Sequence, residues 1–596
     1  MTAGAATLPH WDLTPIFPSL DSAEFQQAFD AAVSEIDALA ALFDRHGVRR
    51  RETPVVDAAF VGAYEEITDR LNALLQKMRT LGAYIGCFVT TDARDDRAKS
   101  LESLLDTHSV LLHQLQTRYV AWVGTSDMEA LLAASEVARQ HEYPVRRARA
   151  LAEHQMPEGE ERLAAELRPS GISAWARLHG NISALLTATV PVEGEERSLP
   201  MSAVRALANH PDREVRRAAY EAELKAWESV SVPMAAALNG VKGFQQVVRK
   251  RRGYPDDIEP TLIGNSINRR TLEAMQQACM ESFPDFRRYL AAKARALGLD
   301  RLAWYDIAAP VGEEARRWPW PEAEAFVREN FGRYSARLAD FAARSFRERW
   351  IDAEPRVGKE GGAYCTGLRP GESRVFMNFD GSFTSVSTLA HELGHAYHNL
   401  NLKDRLPLQR GTPSTLAETA SIFCETLAFD AAMRHAGPEE RLVLLETALE
   451  RDLQVVVDIH SRFLFERGVF ERREARDLTV AEFNALMEDS QRQTYGQNLA
   501  AYHKFMWAVK GHYYGPTFYN YPYTFGLLFG LGLYARYLED ADSFRREYDD
   551  FLSSTGLADA ITLSKRFGIN VEDVAFWRSS LDVIRSQIEE FERLVR

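Results

Sequence analysis

Across most of the chain, apolar side chains recur every three or four residues, which is the period of one face of an α-helix. The first such face carries Phe25, Phe29, Val33, Ile36 and Ala40, and charged residues occupy the opposite face. The same period returns at residues 64–81, 98–123, 144–153 and 212–225. Each apolar stripe has to be covered by other helices. The sequence therefore predicts a mostly α fold.

Two segments interrupt this helical period. Residues 188–200 (ATVPVEGEERSLP) contain short alternating stretches around a turn, which indicates a β-hairpin. We place a domain boundary there, with an N-terminal helical domain over residues 1–200 and a second domain over residues 201–596. Residues 356–383 are punctuated by Gly and Pro, and residues 373–379 have the composition of a strand. We expect this small β element to be the only convincing sheet-like region of the chain.

Charge and cysteine usage argue against several classes of main partner, although a local basic cleft stays compatible with an acidic total. The 596 residues carry a formal net charge of −14, whereas binding to nucleic acid or an anionic membrane requires a basic surface. The four cysteines, Cys87, Cys279, Cys365 and Cys424, are scattered without a repeated spacing, so no disulfide framework or cysteine zinc finger is expected. We expect reduced cysteines, a cytoplasmic location, and neither nucleic acid nor a membrane as partner.

No segment has the pattern of a signal peptide or a membrane span. The first residues, MTAGAATLPHWDL, lack a basic stretch followed by an apolar one. The longest apolar run, FGLLFGLGLYA at residues 525–535, is shorter than the roughly 20 residues that a bilayer requires. We interpret this run as a buried helix.

The motif that carries the most chemistry is HELGH at residues 391–395. On a helix, His391 and His395 project from one face about one turn apart, a spacing that lets both imidazoles bind one zinc ion. Glu392 lies beside the first ligand, where a carboxylate can take a proton from a metal-activated water and pass it to a leaving amine. Two satisfied histidines on an ordinary helix are the alternative explanation.

A catalytic zinc site needs a third protein ligand. His398 lies seven residues after His391, about 10 Å along a helix, which is too far for the same ion and indicates a cleft wall or a supporting role. Glu418, near the start of a second helix after Pro413, is a better candidate. However, Glu418 with Thr415 also matches a capping box, and the residues alone leave both interpretations open. Glu425, two turns further, can hydrogen-bond a ligand histidine.

Longer stretches around these residues resemble a known family. The segment NFDGSFTSVSTLAHELGHAYH (residues 378–398) and the later TLAETASIFCE (residues 415–425) closely resemble the M3 family of zinc metallopeptidases, in its oligoendopeptidase F branch. The segments GKEGGAYC (358–365), GHYYGPTFYNYPYTFG (511–526) and GINVEDVAFW (568–577) are similar to the same family, as is LPHWDLTPIFPSLDSAEF near the N-terminus. The resemblance covers nearly the whole chain.

The resemblance implies a fold, a substrate class and a set of roles. Members are closed, ellipsoidal, helical metallopeptidases with a small β element beside the zinc and a deep internal substrate channel. They hydrolyse short unstructured peptides internally. Transferred to this sequence, His391, His395 and Glu418 are the ligands of one Zn²⁺ per chain, and Glu392 is the general base.

The family also places a histidine and tyrosines from a late segment over the scissile bond. The candidates here are His512, Tyr519, Tyr521 and Tyr523. A tyrosine hydroxyl or an imidazole N–H can stabilise the oxyanion of a tetrahedral intermediate. We favour Tyr523, then Tyr519, while some of these aromatic residues are expected to belong to the core.

Two other functions stay open at this point. A zinc exopeptidase of the carboxypeptidase type would need a cationic group for the terminal carboxylate, and many arginines are present. A catalytically silent peptide-binding protein would have lost Glu392 or a ligand, and neither is lost. Two interpretations also stay open for the β element, which includes the strand at residues 373–379 and the small residues Gly361, Gly362 and Ala363. It binds the backbone of a peptide substrate, or it is a hairpin with a purely structural role. The sequence does not predict an oligomeric state.

Overall fold

A computed structural model describes residues 8–192, 194–312 and 316–596 of the chain. Helices account for most of these residues, which confirms the predicted mostly α fold. The helices, in chain order, are α1 Ala23–Arg45, α2 Ala58–Thr91, α3 Asp96–Gly124, α4 Met128–Ala134, α5 Glu136–Gln140, α6 Glu142–Glu153, α7 Glu158–Leu167, α8 Ile172–Leu185, α9 Met201–Ala206, α10 Arg213–Ser229, α11 Ser231–Arg251, α12 Glu259–Gly264, α13 Arg269–Ala296, α14 Trp320–Tyr334, α15 Ala336–Arg347, α16 Phe383–Asn401, α17 Ser414–Ala417, α18 Thr419–His435, α19 Pro438–Leu453, α20 Ile459–Arg473, α21 Val480–Tyr495, α22 Met506–Val509, α23 Tyr521–Glu539, α24 Ala541–Ser553, α25 Ala560–Arg566 and α26 Val574–Leu594.

The remaining regular elements are short. The strands are β1 Thr187–Val192, β2 Glu195–Pro200, β3 Ile351–Asp352, β4 Tyr364–Arg369 and β5 Glu372–Phe376. Single turns of 3₁₀-helix lie at Leu207–Asn209, Trp304–Asp306, Pro407–Gln409 and Gly511–Tyr514, and a π-helical turn at Gln454–Asp458 joins α19 to α20.

Backbone contacts divide the chain into two units, each assembled from separate stretches of sequence. Unit 1 comprises Met1–Gln155, Arg316–Arg434 and Arg536–Gly568. Unit 2 comprises Met156–Ala315, His435–Ala535 and Ile569–Arg596. The two-domain division at residue 200 that the sequence predicts is a single cut in the chain, and it stays a prediction.

The core of unit 1 is formed by the apolar faces of its N-terminal helices. The predicted face of α1 is buried at Phe25, Phe29 and Ile36, and it packs on α2 and α3. The N-cap of α1 is Ser22, whose hydroxyl accepts a hydrogen bond from the backbone of Phe25. The predicted helices at residues 64–81, 98–123 and 144–153 are confirmed as parts of α2, α3 and α6.

A three-stranded sheet in unit 1 contains the predicted β element. Its order is β3-β5-β4, with β3 parallel and β4 antiparallel to the central β5. The predicted strand at residues 373–379 corresponds to β5, which ends at Phe376. Since β5 is paired on both sides, it offers no free edge for a peptide, and β4 lies at the edge instead.

Unit 2 has a separate core built from α8–α11 and α20–α22. The hairpin predicted at residues 188–200 is confirmed as β1 and β2, and the helix predicted at residues 212–225 is confirmed as α10. The apolar run at residues 525–535 is a buried part of α23, where the Phe525 ring packs 5.0 Å from Trp577. In the part of the chain that the structure describes, no helix is long and apolar enough to cross a membrane.

Gly394 sets how closely α16 and α18 approach each other in unit 1. A Cβ atom at Gly394 would lie 2.5 Å from the carbonyl oxygen of Ala420 and 2.7 Å from the Cα of Ser421, both backbone atoms of α18. We expect Gly394→Val to destabilise the protein by about 1–3 kcal/mol, because the two helices would have to separate. Urea unfolding followed by far-ultraviolet circular dichroism measures the effect.

The matched control is Gly62→Ala, because a methyl group added to Gly62 in α2 would meet no atom within 4 Å. That substitution should leave stability unchanged or raise it by up to about 1 kcal/mol. Equal unfolding midpoints for Gly394→Val and the parent protein would contradict the close packing of these helices.

Candidate metal centre and active site

The HELGH motif lies in the middle of the buried helix α16, as its sequence predicts. The helix begins after the N-cap Ser382, whose hydroxyl accepts a hydrogen bond from the backbone N–H of Ser385. His391 and His395 project from the same face, with ring centroids 4.9 Å apart. The helical spacing therefore brings both imidazoles to one place.

The structure brings the three predicted metal ligands together. Ligand atoms of His391, His395 and Glu418 all lie within 4.8 Å of one another. The Oε2 atom of Glu418 lies 3.3 Å from Nε2 of His391 and 3.4 Å from Nε2 of His395. Two imidazoles and one carboxylate form a donor set that suits zinc, with room for a further ligand. The side chains present therefore fit a catalytic zinc ion.

Glu418 reaches this cluster from the junction of two helices. It is the C-terminal cap of α17, and α18 begins at the next residue. The Ser421 hydroxyl donates a 2.7 Å hydrogen bond to its Oε2. The N-cap of α17 is Pro413, which provides no side-chain cap, and Glu418 lies at the other end of this helix. Glu418 is therefore not the N3 glutamate of a capping box.

Glu425 supports one of the ligand histidines, as its spacing predicts. Its Oε2 lies 2.9 Å from Nδ1 of His391. Since a carboxylate only accepts hydrogen bonds, this contact fixes a proton on Nδ1, so Nε2 is the nitrogen that can bind a metal ion when the imidazole is neutral.

The electrostatics of the cluster are those of a cation site. Burial lowers the pKa of His391, but the hydrogen bonds to Glu418 and Glu425 outweigh burial and raise that pKa to about 10. Burial likewise opposes ionisation of Glu418, but the two imidazoles hold its pKa well below the usual range. The carboxylates therefore stabilise positive charge here. A divalent cation would replace the imidazole protons, because histidine binds metals in its neutral form.

Glu392 lies next to these ligands and has an unsatisfied oxygen. Its side chain is 6% exposed, and its Oε2 has no hydrogen-bond partner among the residues described. Burial raises the pKa of Glu392. A buried carboxylate oxygen without a partner costs free energy unless a substrate or a solvent molecule satisfies it. The unpaired oxygen of Glu392 is therefore available to accept a hydrogen bond.

A cavity of about 1040 Å³ in unit 1 opens onto these groups, and it is lined by α2, the β4–β5 hairpin, α16 and α17. His398 lies on its wall with Nε2 2.9 Å from the Thr555 hydroxyl, so it is separate from the ligand cluster, as the helical rise predicts. Cys365 also lies on the wall, and burial raises the pKa of its thiol. That thiol is therefore protonated at neutral pH.

The residues predicted from the late segment belong to unit 2, where three of them form a contiguous group. The rings of His512 and Tyr519 lie 5.0 Å apart, and the hydroxyls of Tyr523 and Tyr519 are hydrogen-bonded at 3.0 Å. Tyr519 is 40% exposed and Tyr523 is 39% exposed, so both hydroxyls are accessible.

The other tyrosines of this segment are core residues. Tyr513, Tyr514 and Tyr521 are at most 2% exposed, and the Tyr521 hydroxyl donates a 3.1 Å hydrogen bond to the carbonyl of Thr261. Tyr521 was among the candidates from the sequence, and burial removes it. The residue types alone did not distinguish the exposed tyrosines from the buried ones, because their exposure depends on the turn that precedes α23.

His512 is oriented by two residues that the sequence analysis did not identify. Its Nδ1 lies 2.8 Å from Oδ1 of Asn520, and the Arg462 guanidinium donates to the same oxygen at 3.3 Å. Because a carbonyl oxygen only accepts, Nδ1 carries the proton. Burial lowers the pKa of His512, which favours the neutral ring, so its Nε2 is a hydrogen-bond acceptor. No sequence spacing could have identified Arg462, which lies 58 residues from Asn520.

The turn between His512 and α23 is held in a strained conformation. Phe518 has a φ of 48°, an uncommon value for a residue with a Cβ atom. Its backbone N–H donates a 3.0 Å hydrogen bond to Glu466, which forms a buried ion pair with Lys242 at 2.6 Å. This anchor fixes the turn that carries Tyr519.

Two protein-family models together match most of the chain. The model described as Peptidase family M3 matches residues 206–583, and the model described as Oligopeptidase F matches residues 123–187. The chain belongs to peptidase family M3. Membership confirms the resemblance found in the sequence and makes the protein a peptide-hydrolysing enzyme of the metalloendopeptidase class.

Named relatives in this family are distant in sequence. Chromosomal oligoendopeptidase F of Lactococcus lactis subsp. cremoris is 25% identical over 408 residues, which cover 67% of each chain. Oligopeptidase PepF of Bacillus subtilis is 23% identical over 409 residues, which cover 68% of this chain and 61% of the relative. The aligned region thus spans about two thirds of the length of these relatives or somewhat less.

Solved structures share the fold over nearly the whole chain. A peptidase from Chlamydophila abortus superposes with a TM-score of 0.82 at 20% identity, covering 98% of both chains. The oligoendopeptidase F structure from Enterococcus faecium has a TM-score of 0.70 at 16% identity, covering 96% of this chain and 99% of the other. Both support the helical fold described above.

Glu425 provides a test of the metal centre that leaves all three ligands in place. We expect Glu425→Gln to weaken zinc binding about 10- to 100-fold, because the amide no longer accepts a charge-assisted hydrogen bond from His391. Competition with a chromophoric chelator measures the affinity. The matched control is Asp430→Asn on the same helix, because Asp430 pairs with Arg434 at the surface. Equal zinc affinity in the Glu425 and Asp430 variants would exclude the supporting role.

Proposed function

We propose that the protein is a zinc-dependent endopeptidase that hydrolyses short unstructured oligopeptides. The observation that carries this proposal is the convergence of the His391, His395 and Glu418 ligand atoms within 4.8 Å, beside the unpaired carboxylate oxygen of Glu392. One Zn²⁺ per chain is expected at these three residues. When bound, zinc supplies a Lewis acid that polarises a carbonyl and lowers the pKa of water.

Glu392 supplies the proton transfers in this proposal. Burial raises its pKa, which makes it a stronger base than an exposed carboxylate. In the first step its Oε2 accepts a proton from the attacking water. The same carboxyl group then donates that proton to the nitrogen of the leaving amine, which returns Glu392 to its starting state.

We assign the hydrogen-bond donors at the developing oxyanion to the tyrosines of unit 2, with Tyr523 ahead of Tyr519. Both hydroxyls are accessible, and the Tyr523 hydroxyl donates to that of Tyr519. For Tyr523 to donate to the substrate, this hydrogen bond has to reverse, so that Tyr519 donates to Tyr523. His512 has a different role, because its neutral ring offers an acceptor at Nε2. It accepts a hydrogen bond from a peptide N–H or a tyrosine hydroxyl.

Short peptides as substrates, and internal cleavage, are supported by the relatives named oligoendopeptidase F. The metal cavity of about 1040 Å³ has space for a few residues of extended peptide. The deep internal channel, the cytoplasmic location and the absence of nucleic-acid and membrane partners stay predictions from the sequence.

The proposal is tested by incubating the enzyme with a pool of short peptides and one folded protein, followed by mass spectrometry. We expect internal cuts in the peptides only, lost with a chelator and restored by zinc. Stepwise loss from one terminus would establish an exopeptidase instead. Intact peptides with zinc bound to the protein would favour the peptide-binding alternative.

Glu392→Gln tests the general base. We expect zinc content to stay the same and kcat to fall by about 10²- to 10⁴-fold, because the amide cannot accept the proton. Metal analysis and single-turnover kinetics measure the two properties. Glu329→Gln, at an exposed ion pair with Arg333 on α14, is the control for loss of a carboxylate. A Glu392→Gln variant with parental kcat would refute the assignment.

Tyr523→Phe tests the oxyanion donor. We expect kcat to fall by about 10- to 1000-fold with little change in KM, because the lost hydrogen bond acts in the transition state. Tyr521→Phe is the matched control, since it removes a buried hydroxyl two residues earlier and should cost stability rather than kcat. An unchanged kcat in Tyr523→Phe, with a reduced kcat in Tyr519→Phe, would transfer the role to Tyr519.

A further inference from the structure

The wall of the metal cavity contributed by α2 has small side chains in its middle and a cation near one end. Residues of α2 that line the cavity are Gln76, Arg79, Gly82, Ala83, Gly86 and Thr90. They recur every three or four positions and so form one stripe of the helix. A Cβ at Gly86 would meet no atom within 4 Å, which leaves open space above the middle of the stripe.

Three guanidinium groups line the cavity. Arg369 pairs with Glu372 at 2.7 Å, whereas Arg79 and Arg410 have no carboxylate partner among the residues described. Arg410 donates to the carbonyl of Arg405 at 2.7 Å and to the side-chain oxygen of Gln76 at 2.8 Å, both neutral acceptors. Arg79 has neither a hydrogen bond nor an ion pair to any residue that the structure describes, and burial lowers its pKa without a compensating acid. The pKa of Arg410 is lowered by burial and by the charge of Arg79.

The proximity of Arg79 and Arg410 is electrostatically unfavourable when the cavity holds no anion. Two like charges near each other repel, and Arg410 is half-buried, whereas Arg79 is exposed at the cavity surface. The two carboxylates on the described cavity wall, Glu392 and Glu418, belong to the metal centre. An anionic group entering the cavity would relieve the repulsion, and guanidinium is the side chain best shaped to bind a carboxylate.

Contacts between α2 and β4 give the position of Arg79 along the cavity. The Thr90 and Tyr364 hydroxyls lie 2.7 Å apart, and the Thr80 hydroxyl donates to the carbonyl of Leu368 at 2.6 Å. Helix α2 and β4 therefore run in opposite directions, with Arg79 beside the Leu368 end. Cys365 lies at the other end, close enough to Glu392 for the carboxylate to influence its thiol.

This register gives an approximate spacing along β4 between the end near Glu392 and the end near Arg79, across the irregularity between Gly367 and Arg369. Cys365 and Leu368 are three residues apart, which corresponds to about 10 Å of strand. An extended peptide lying along β4 advances by the same rise per residue. A group bound at Arg79 would therefore lie about three residues from the bond that is cleaved.

We propose that Arg79, assisted by the field of Arg410, is a specificity-determining residue that binds a carboxylate of the substrate about three residues from the cleaved bond. The carboxylate belongs either to an acidic side chain or to the C-terminus of the peptide. A carboxypeptidase that removes single residues would need its cation one residue from the bond. The position of Arg79 therefore fits endopeptidase cleavage with an anionic preference at a distance.

The inference rests on the proposed peptidase function, and matched peptides test it. One series places a single Glu or Gln at each position on both sides of the cleaved bond, with both termini blocked. A second pair differs only in a free or amidated C-terminus. We define the preference ratio as kcat/KM of the carboxylate peptide divided by kcat/KM of its neutral counterpart. We expect this ratio to be at least about ten when the carboxylate lies at one position about three residues from the cut. If the Glu/Gln series shows the ratio, the carboxylate is an acidic side chain; if the second pair shows it, the carboxylate is the C-terminus.

Variants of Arg79 assign the preference to this side chain. In Arg79→Gln the ratio of kcat/KM for the carboxylate peptide to kcat/KM for the neutral peptide should fall to about one. The kcat/KM values for the neutral peptides should stay close to those of the parent enzyme. Arg79→Lys should keep part of the ratio. The matched control is Arg70→Gln on the same helix, whose guanidinium pairs with Glu66 3.0 Å away at the surface, and its ratio should be parental. A ratio that survives in Arg79→Gln, or a parent enzyme without any ratio, would overturn the proposal.

A binding experiment separates this inference from the peptidase proposal. Fluorescence anisotropy with the Glu392→Gln variant measures the affinity for the labelled carboxylate and neutral peptides without cleavage. If the parent enzyme cleaves no peptide but this variant binds the carboxylate peptide at least tenfold more tightly, and Arg79→Gln removes the difference, the peptidase proposal fails and the Arg79 proposal stands. Equal affinities for both peptides would refute the Arg79 proposal whatever the cleavage result.

Discussion

The close contact between α16 and α18 at Gly394 is the constraint on which the metal centre depends. It brings the helix that carries His391 and His395 against the segment that carries Glu418, with backbone atoms closer than any side chain would allow. The same approach lets Glu425 reach the Nδ1 atom of His391. Donor atoms from two separate stretches thereby converge, and the cost of burying three ionisable groups is offset by their mutual attraction.

Local spacing explains which parts of the site could be predicted from sequence. His391, Glu392 and His395 follow from helical geometry alone, and the rise of about 1.5 Å per residue correctly separated His398 from the cluster. Glu418 was ambiguous in the sequence because the same residue could cap a helix. Its ligand position depends on the packing of α18 against α16, which no local pattern encodes. The resemblance to the M3 family supplied that information instead.

Long-range contacts explain what the sequence could not provide. Asn520, which Arg462 contacts, fixes the proton of His512 on Nδ1 and makes Nε2 an acceptor, whereas the sequence analysis considered an imidazole N–H that donates to the oxyanion. Burial separates Tyr521 from Tyr519 and Tyr523. Arg79 carries no motif, and its interest arises only because the register of α2 against β4 places it on the wall of the metal cavity.

X-ray absorption spectroscopy at the zinc edge of the zinc-loaded protein tests the central claim most directly. The account predicts one zinc per chain, bound only by nitrogen and oxygen donors, with the multiple-scattering signal of two imidazoles. Glu418→Gln should weaken zinc binding without removing the imidazole signal. A sulfur ligand, such as the Cys365 thiol on the cavity wall, or a spectrum without two imidazoles would contradict the account.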